Sequence, residues 1–325
     1  MKQAFIAIDT GKHTTKSIME VDGKQFISNF RTKVQKVNNA GIEVPHNSFL
    51  VNHGGAQYLV GDIVSEQYSD HSLSKQIINH KIAIYTTLLD LELKSNFDFR
   101  ALELNIIVNA PTNVYKDAKA KQDYYSYIYN DGQSIRIDSK GKMYTFKMKN
   151  LTIAFEGVGM VFAKTNEYLN MNSLTIDIGG LNTTLCQFNG LKPDFNSMIV
   201  SNLGISSLKS NLENAITERH GFSVSPNDLE NILQDGFLMN EGQIVDKSEE
   251  MINSIKENHV DAIINYAKQH GYTFNNRKMS FVGGGSFLLR DQLIDRFPLA
   301  EIAINPQFAN VKSFLSILKV KHQNV

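Results

Sequence analysis

Short apolar runs broken by turn residues open the chain. Over residues 4–30 they predict three strands, with Asp22-Gly23 as the turn between Ile18-Met19-Glu20-Val21 and Gln25-Phe26-Ile27. Residues 31–66 read as small strands and loops. From 73 to 93 the period lengthens, and Ile77, Ile78, Ile82, Tyr85, Leu88 and Leu89 fall on one face of a helix. Leu102 to Asn109 predicts a buried strand that ends at Ala110-Pro111, and residues 113–128 predict a helix. A hairpin follows, turning near Ser139-Lys140-Gly141, with Tyr144, Phe146 and Met148 alternating. Glu156 to Leu169 reads as a helix.

The second half repeats the scheme. Strands are expected from 174 to about 200, with a turn at Asn189-Gly190, then helices near 205–219, 226–235 and 247–270. Met251, Ile252, Ile255, Ile263 and Ile264 form the apolar stripe of the last of these. Met279-Ser280-Phe281-Val282 is a buried strand leading into three glycines, with a helix expected near Ser286. Ala300 to Ile304 reads as a strand and Phe308 to Lys319 as a helix. Alternating strands and helices in both halves imply two α/β domains.

Composition narrows the options. At 325 residues the chain has room for about two domains, and 42% hydrophobic with 20% charged residues is ordinary for a globular protein. Lys+Arg and Asp+Glu both total 33, which argues against coating DNA by bulk positive charge. Cys186 is the only cysteine, so no intrachain disulfide and no thiolate zinc site is expected, and a cytoplasmic setting fits. The apolar run Ala4 to Ile8 is too short for a signal peptide, and no stretch reaches the length of a membrane span. Neither the first residues nor the tail from Lys319 to Val325 forms a basic amphipathic helix, so no membrane anchor is expected.

One motif occurs twice. Phe5-Ile6-Ala7-Ile8-Asp9-Thr10-Gly11 runs on to Thr14-Thr15-Lys16, and Leu174-Thr175-Ile176-Asp177-Ile178-Gly179-Gly180 runs on to Asn182-Thr183-Thr184. Each is an apolar strand, an Asp-x-Gly turn and a hydroxyl-bearing return strand. The copies are half a chain apart, which indicates a domain-scale duplication. Such turns suit phosphate: glycine lets N–H groups approach, hydroxyls and a lysine add donors, and an aspartate holds hydrated Mg²⁺. Asp9 and Asp177 are therefore the expected metal residues. Gly11, Lys12, Thr14, Thr15 and Lys16 form one expected phosphate loop, and Gly179, Gly180, Asn182 and Thr183 the other. The plainer alternative is two aspartates capping turns. Gly283-Gly284-Gly285-Ser286, between a strand and a helix, suits a flat purine and its α-phosphate, and otherwise is a flexible loop. Gly204 in Asn202-Leu203-Gly204-Ile205 approaches phosphate at a helix start or is a turn glycine. The run Tyr124-Tyr125-Ser126-Tyr127-Ile128-Tyr129 is either a subunit contact or core packing.

The order of Asp9-x-Gly11 with Lys16, Asn109-Ala110-Pro111, Glu156-Gly157, Asp177-x-Gly179 with Thr183, Gly283-Gly284-Gly285 and Asn305-Pro306-Gln307-Phe308-Ala309-Asn310 resembles the actin, sugar kinase and heat-shock chaperone ATPase superfamily. Within it the chain looks most like the plasmid-segregating bacterial actins, the ParM group. Ser313 departs from that pattern, where glycine is common, and Lys12-His13 is bulkier than usual. The resemblance implies an actin-like α/β fold of two duplicated domains around a nucleotide cleft. They would span 1–168, with a small subdomain around 31–70, and 169–325, with a helical subdomain around 205–275. It implies ATP or GTP with Mg²⁺, and hydrolysis in which Glu156, Asp177 and Asp9 take part, Glu156 positioning the attacking water. It further implies a self-assembled filament coupled to plasmid DNA by a DNA-binding adaptor at a centromere-like site, without direct contact to nucleic acid. A sugar or acid kinase of the same superfamily is the alternative. It would need a general base, and no aspartate between the two phosphate loops stands out. A cell-shape scaffold would usually carry a membrane helix.

Overall fold

The structure is a computed structural model that describes residues 1–38, 40–69 and 75–323. The chain divides into two compact units, Met1–Lys164 with the chain from Asn310 onward, and Thr165–Ala309. The sequence boundary was expected at 168/169, with the tail in the second domain; the contacts join the tail to the first unit instead.

In the first unit, β1 (Lys2–Thr10), β2 (Thr14–Val21) and β3 (Lys24–Arg31) form an antiparallel meander. Three short strands follow, β4 (Val34–Val37), β5 (Ser48–His53) and β6 (Ala56–Gly61), then helix α1 (Ile78–Ser95), β7 (Leu102–Ala110), α2 (Thr112–Lys116) and α3 (Ala118–Tyr129). The hairpin β8 (Ile135–Ser139) and β9 (Lys142–Phe146) leads to β10 (Met148–Phe155). The main sheet has the order β10-β7-β1-β2-β3, and β4-β6-β5-β8-β9 form a smaller one. The small sheet therefore takes strands from beyond the expected 31–70. Met148 belongs to the main sheet and not to the hairpin's alternation.

Helix α1 packs on β1, β2 and β3 and also on β4, β5 and β8. Every residue from Ile82 to Leu91 is buried as a result. A single apolar stripe was expected; a helix covered on both sides is buried all round. The expected start at 73 and 74 lies outside the described residues, and Ile77 is extended. Asp117 splits the expected 113–128 helix, its carboxylate accepting from Ala120 N to cap α3. Tyr124 and Ile128 are fully buried, so core packing accounts for them, while Tyr125, Tyr127 and Tyr129 pack partly buried on the same core.

In the second unit the short helix α4 (Thr165–Tyr168) precedes a second meander, β11 (Asn172–Ile178), β12 (Thr183–Asn189) and β13 (Lys192–Ser201). Helices α5 (Ile205–His220) and α6 (Pro226–Asp235), the minimal hairpin β14 (Met239–Asn240) and β15 (Gln243–Ile244), and α7 (Ser248–Gln269) come next. Then follow β16 (Lys278–Val282), α8 (Gly284–Leu288), α9 (Arg290–Arg296) and β17 (Glu301–Ile302). The sheet order β17-β16-β11-β12-β13 repeats that of the first unit strand for strand. The chain ends in α10 (Ala309–Gln323).

The helix expected from Glu156 to Leu169 does not form. Gly157 and Gly159 take positive φ of 86° and 56°, which interrupts a right-handed helix, and only α4 is helical. Asn310 and Ser313 of α10 hold this segment: Gly159 N donates to Asn310 Oδ1 at 2.9 Å, Ser313 Oγ donates to Gly159 O at 2.7 Å and accepts from Ala163 N at 3.0 Å. Among the described residues no helix is long and apolar enough to cross a membrane.

Candidate functional site

Strands β1, β7 and β10 are parallel neighbours, so their carboxyl ends lie side by side, the edge at which α/β sheets bind ligands. Asp9, Asn109 and Glu156 stand at these three ends. Asn109 Nδ2 donates to Asp9 Oδ1 at 2.7 Å and to Glu156 Oε1 at 3.2 Å, and its Oδ1 accepts from Thr10 N at 2.9 Å. Lys75, only 3% exposed, lies 2.5 Å from Glu156 Oε1 and donates to Thr10 O at 2.8 Å. Lys75, Glu156, Asn109 and Thr10 thus close a ring of three hydrogen bonds and one ion pair. Lys16 faces Asp9 across the β1–β2 ladder, with Nζ 3.8 Å from Asp9 Oδ2.

Behind the ring, Tyr124 Oη donates to Asn109 O at 2.9 Å. Its single proton is used there, so His80 Nε2, 2.7 Å away, is the donor to Tyr124. Burial first, then the charges of Lys75 and Lys12, hold the His80 imidazolium well below its usual range, so His80 is neutral. Burial first, with the charge of Glu156 next, raises the Tyr124 phenol, which stays protonated.

The two Asp-x-Gly turns have the same length. Asp9 pairs with Lys16 and Thr10 with Thr15; Asp177 pairs with Thr184 and Ile178 with Thr183. A Cβ on Gly11 would lie 2.8 Å from Thr14 O, and one on Gly179 would lie 3.0 Å from Asn182 O. Each turn therefore needs its glycine for the same contact. Gly180 and Asn182 are half-buried at the second turn, as are Lys12 and Thr14 at the first.

Four expected ligand residues prove to be braces. Thr15 is fully buried and its hydroxyl bonds Thr32 Oγ1 at 2.8 Å. Its counterpart Thr183 is fully buried and donates to Leu203 O at 2.7 Å. Ser286 is fully buried and donates to Gly283 O at 2.9 Å. Gly204 is packed against Gly180 O, Leu181 and Asn182 N so closely that no Cβ fits. The N–H groups that follow it are already used, Ile205 N on Gly179 O at 3.0 Å and Ser206 N on Gly180 O at 2.8 Å. Helix α5 thus holds the second turn and does not offer its own first donors outward.

The three glycines differ among themselves. A Cβ on Gly283 would collide with Asp177 Oδ1 and Ile178 O, and its φ is 84°. One on Gly285 would collide with Ile178 and Ile205 side chains. One on Gly284 would meet nothing, and Gly284 is exposed at the start of α8. Packing explains two of the three; it does not explain Gly284. Glu156, expected at a helix start, instead directly follows the end of β10, with its N–H on Ala110 O at 3.2 Å. Sequence reasoning missed Lys75 altogether, since an isolated lysine before a helix carries no signal, and it left Asn109 inside a motif without a role.

Residues 7–159 match the family described as the actin-like proteins N terminal domain. The fold of the chain is the actin-like one throughout. It is similar to the archaeal actin homolog Ta0583 at a TM-score of 0.81 and 19% identity, covering 97% of this chain and 99% of that one. It is similar to the Alp12 filament structure at 0.73 and 24%, covering 99% and 100%. It is also similar to the 15-stranded ParM filament from Clostridium botulinum at 0.75 and 20%, covering 98% and 100%. The archaeal homolog in complex with ADP matches at 0.75 and 18%, covering 98% and 99%. No curated protein matches the chain by sequence.

Proposed function

We propose that this actin-like chain is a nucleotide-dependent, filament-forming ATPase of the cytoplasm that moves plasmid DNA through a DNA-binding adaptor. The hairpin pair carries the reading: two turns of one length, each with an aspartate at the strand end and a glycine that the turn requires. The likeness to filament structures and to an ADP complex supports it. Lys12, Thr14, Lys16 and the N–H groups of Gly11 in one unit, and Gly179, Gly180 and Asn182 in the other, bind the phosphates of ATP or GTP. Gly284 offers bare backbone to the base and α-phosphate. The neutral net charge fits DNA held by the adaptor.

Asp9 and Asp177 suit Mg²⁺ held through water. Each unit offers one carboxylate, and among the described residues no group of three or more His, Cys, Asp or Glu could hold a metal. Mg²⁺ keeps most of its waters and takes one or two carboxylates with phosphate oxygens, so the sparse donor set fits. When bound, the ion neutralises phosphate charge. Glu156 accepts the proton of a water that attacks the terminal phosphate in line.

Sedimentation with Mg²⁺ and ATP, GTP, ADP or a slowly hydrolysed analogue tests the proposal. Pelleting that depends on the triphosphate is expected. Protein that stays soluble and consumes ATP only with an added metabolite would make it a kinase, and a chain that binds no purine nucleotide would end the reading.

A further inference from the structure

The ring around Glu156 has a consequence for which of its two oxygens does the chemistry. A carboxylate turns easily about its last torsion, which is broad and nearly two-fold. Here Lys75 Nζ and Asn109 Nδ2 both fix Oε1, at 2.5 and 3.2 Å. Among the described residues nothing donates to Oε2, and the Glu156 side chain keeps 20% of its surface. Lys75 is itself held by Thr10 O, at the end of the strand that carries Asp9. A buried lysine is costly unless paired, and a tie between β1 and β10 needs no charge, since Asn109 already joins them. Burial of Lys75 against this one carboxylate therefore asks for another explanation.

We infer that Lys75 is a positioning residue for Glu156: it locks Oε1 so that Oε2 alone faces the attacking water. The inference rests on the proposed hydrolysis and adds a residue to it. Orientation of this kind acts on the rate and not on nucleotide binding, because a mis-aimed base loses its near-attack geometry while the phosphate contacts stay intact.

Single-turnover hydrolysis and nucleotide affinity of Lys75→Met and Lys75→Gln, compared with wild type, decide it. Lys75→Met should hydrolyse about tenfold to a hundredfold more slowly, up to the low end of what general acid–base catalysis supplies, with affinity within about twofold of wild type. Lys75→Gln keeps an amide donor and should recover part of the rate. Should the Met variant fail to fold, the Gln variant carries the test with the same two readouts, and its rate must fall below wild type. Glu156→Gln with Lys75→Met should be no slower than Glu156→Gln alone, since the lysine acts only through that carboxylate. A wild-type rate in the Lys75 variants, an additive double variant, or a tenfold loss of affinity that would make Lys75 a phosphate ligand, each overturns the inference. A wild-type protein that hydrolyses no nucleotide instead overturns the proposed function.

Discussion

The two units share one sheet order and one turn length, yet they fill the ends of their strands differently. In the first, the ends of β1, β7 and β10 carry Asp9, Asn109 and Glu156, with Lys16 and Lys75 folded over them. In the second, Val282 is the strand neighbour of Asp177 where the first has an asparagine, Gly283 packs on the Asp177 carboxylate, and Thr184 stands where the first has Lys16. The strand ends of one unit carry several charged side chains, and those of the other carry Asp177 among main-chain groups. Duplication has preserved the geometry that makes a turn and a ladder, since these depend on main-chain contacts. Side chains at the strand ends have been left to diverge, and with them the chemistry.

Three measurements break or sharpen this contrast. The largest effect is expected where backbone alone fills the space. Gly283→Ala forces a positive φ and a clash with Asp177, and should lower stability by more than about 2 kcal/mol in thermal unfolding. Gly284→Ala, one residue on, should stay within about 0.5 kcal/mol of wild type while nucleotide affinity falls. If both variants are equally unstable, the division between packed and outward-facing glycine is wrong.

Next comes the charged unit. Glu156→Ala should retain nucleotide binding and slow hydrolysis by about tenfold or more, on the order of 1.4 kcal/mol or more. Wild-type turnover in that variant would remove Glu156 from the chemistry.

The smallest effect concerns pH. His80 is neutral in the folded state because its protonated form is held well below the ordinary range, by burial first and then by Lys75 and Lys12. The unfolded chain takes up that proton below pH about 6.5, so the unfolded state gains protons and stability falls as pH drops, by at most about 1.4 kcal/mol per unit. Above that pH the group contributes no slope. His80→Gln keeps a donor for Tyr124 and should flatten the acid side of a urea-midpoint series between pH 7.5 and 5.5. An unchanged slope would place the charged form of His80 in contact with solvent.

The hairpins were legible because local pattern and turn residues point the same way, and the register then follows. The segment after Glu156 was not, because buried Val158, Met160 and Val161 mimic a helical stripe while Gly157 and Gly159 quietly forbid one. Thr15 and Thr183 read as phosphate donors since their hydroxyls sit at the right spacing; only the fold shows those hydroxyls turned inward to Thr32 and Leu203. Ser313 read as a departure from pattern, and its reason lies in two hydrogen bonds to a segment far away in sequence. Lys75 was invisible for the same cause: its ring closes through three distant stretches of chain, which no window along the sequence contains.

The second turn and α5 share two main-chain bonds through Gly179 and Gly180. They behave as one stiff piece, so neither can shift alone without breaking both links. With 16 residues the rod is about 24 Å long, so a tilt of about 5° at Gly204 swings its distant tip by about 2 Å. A shift of that small glycine corner is thereby enlarged at the helix's distant end.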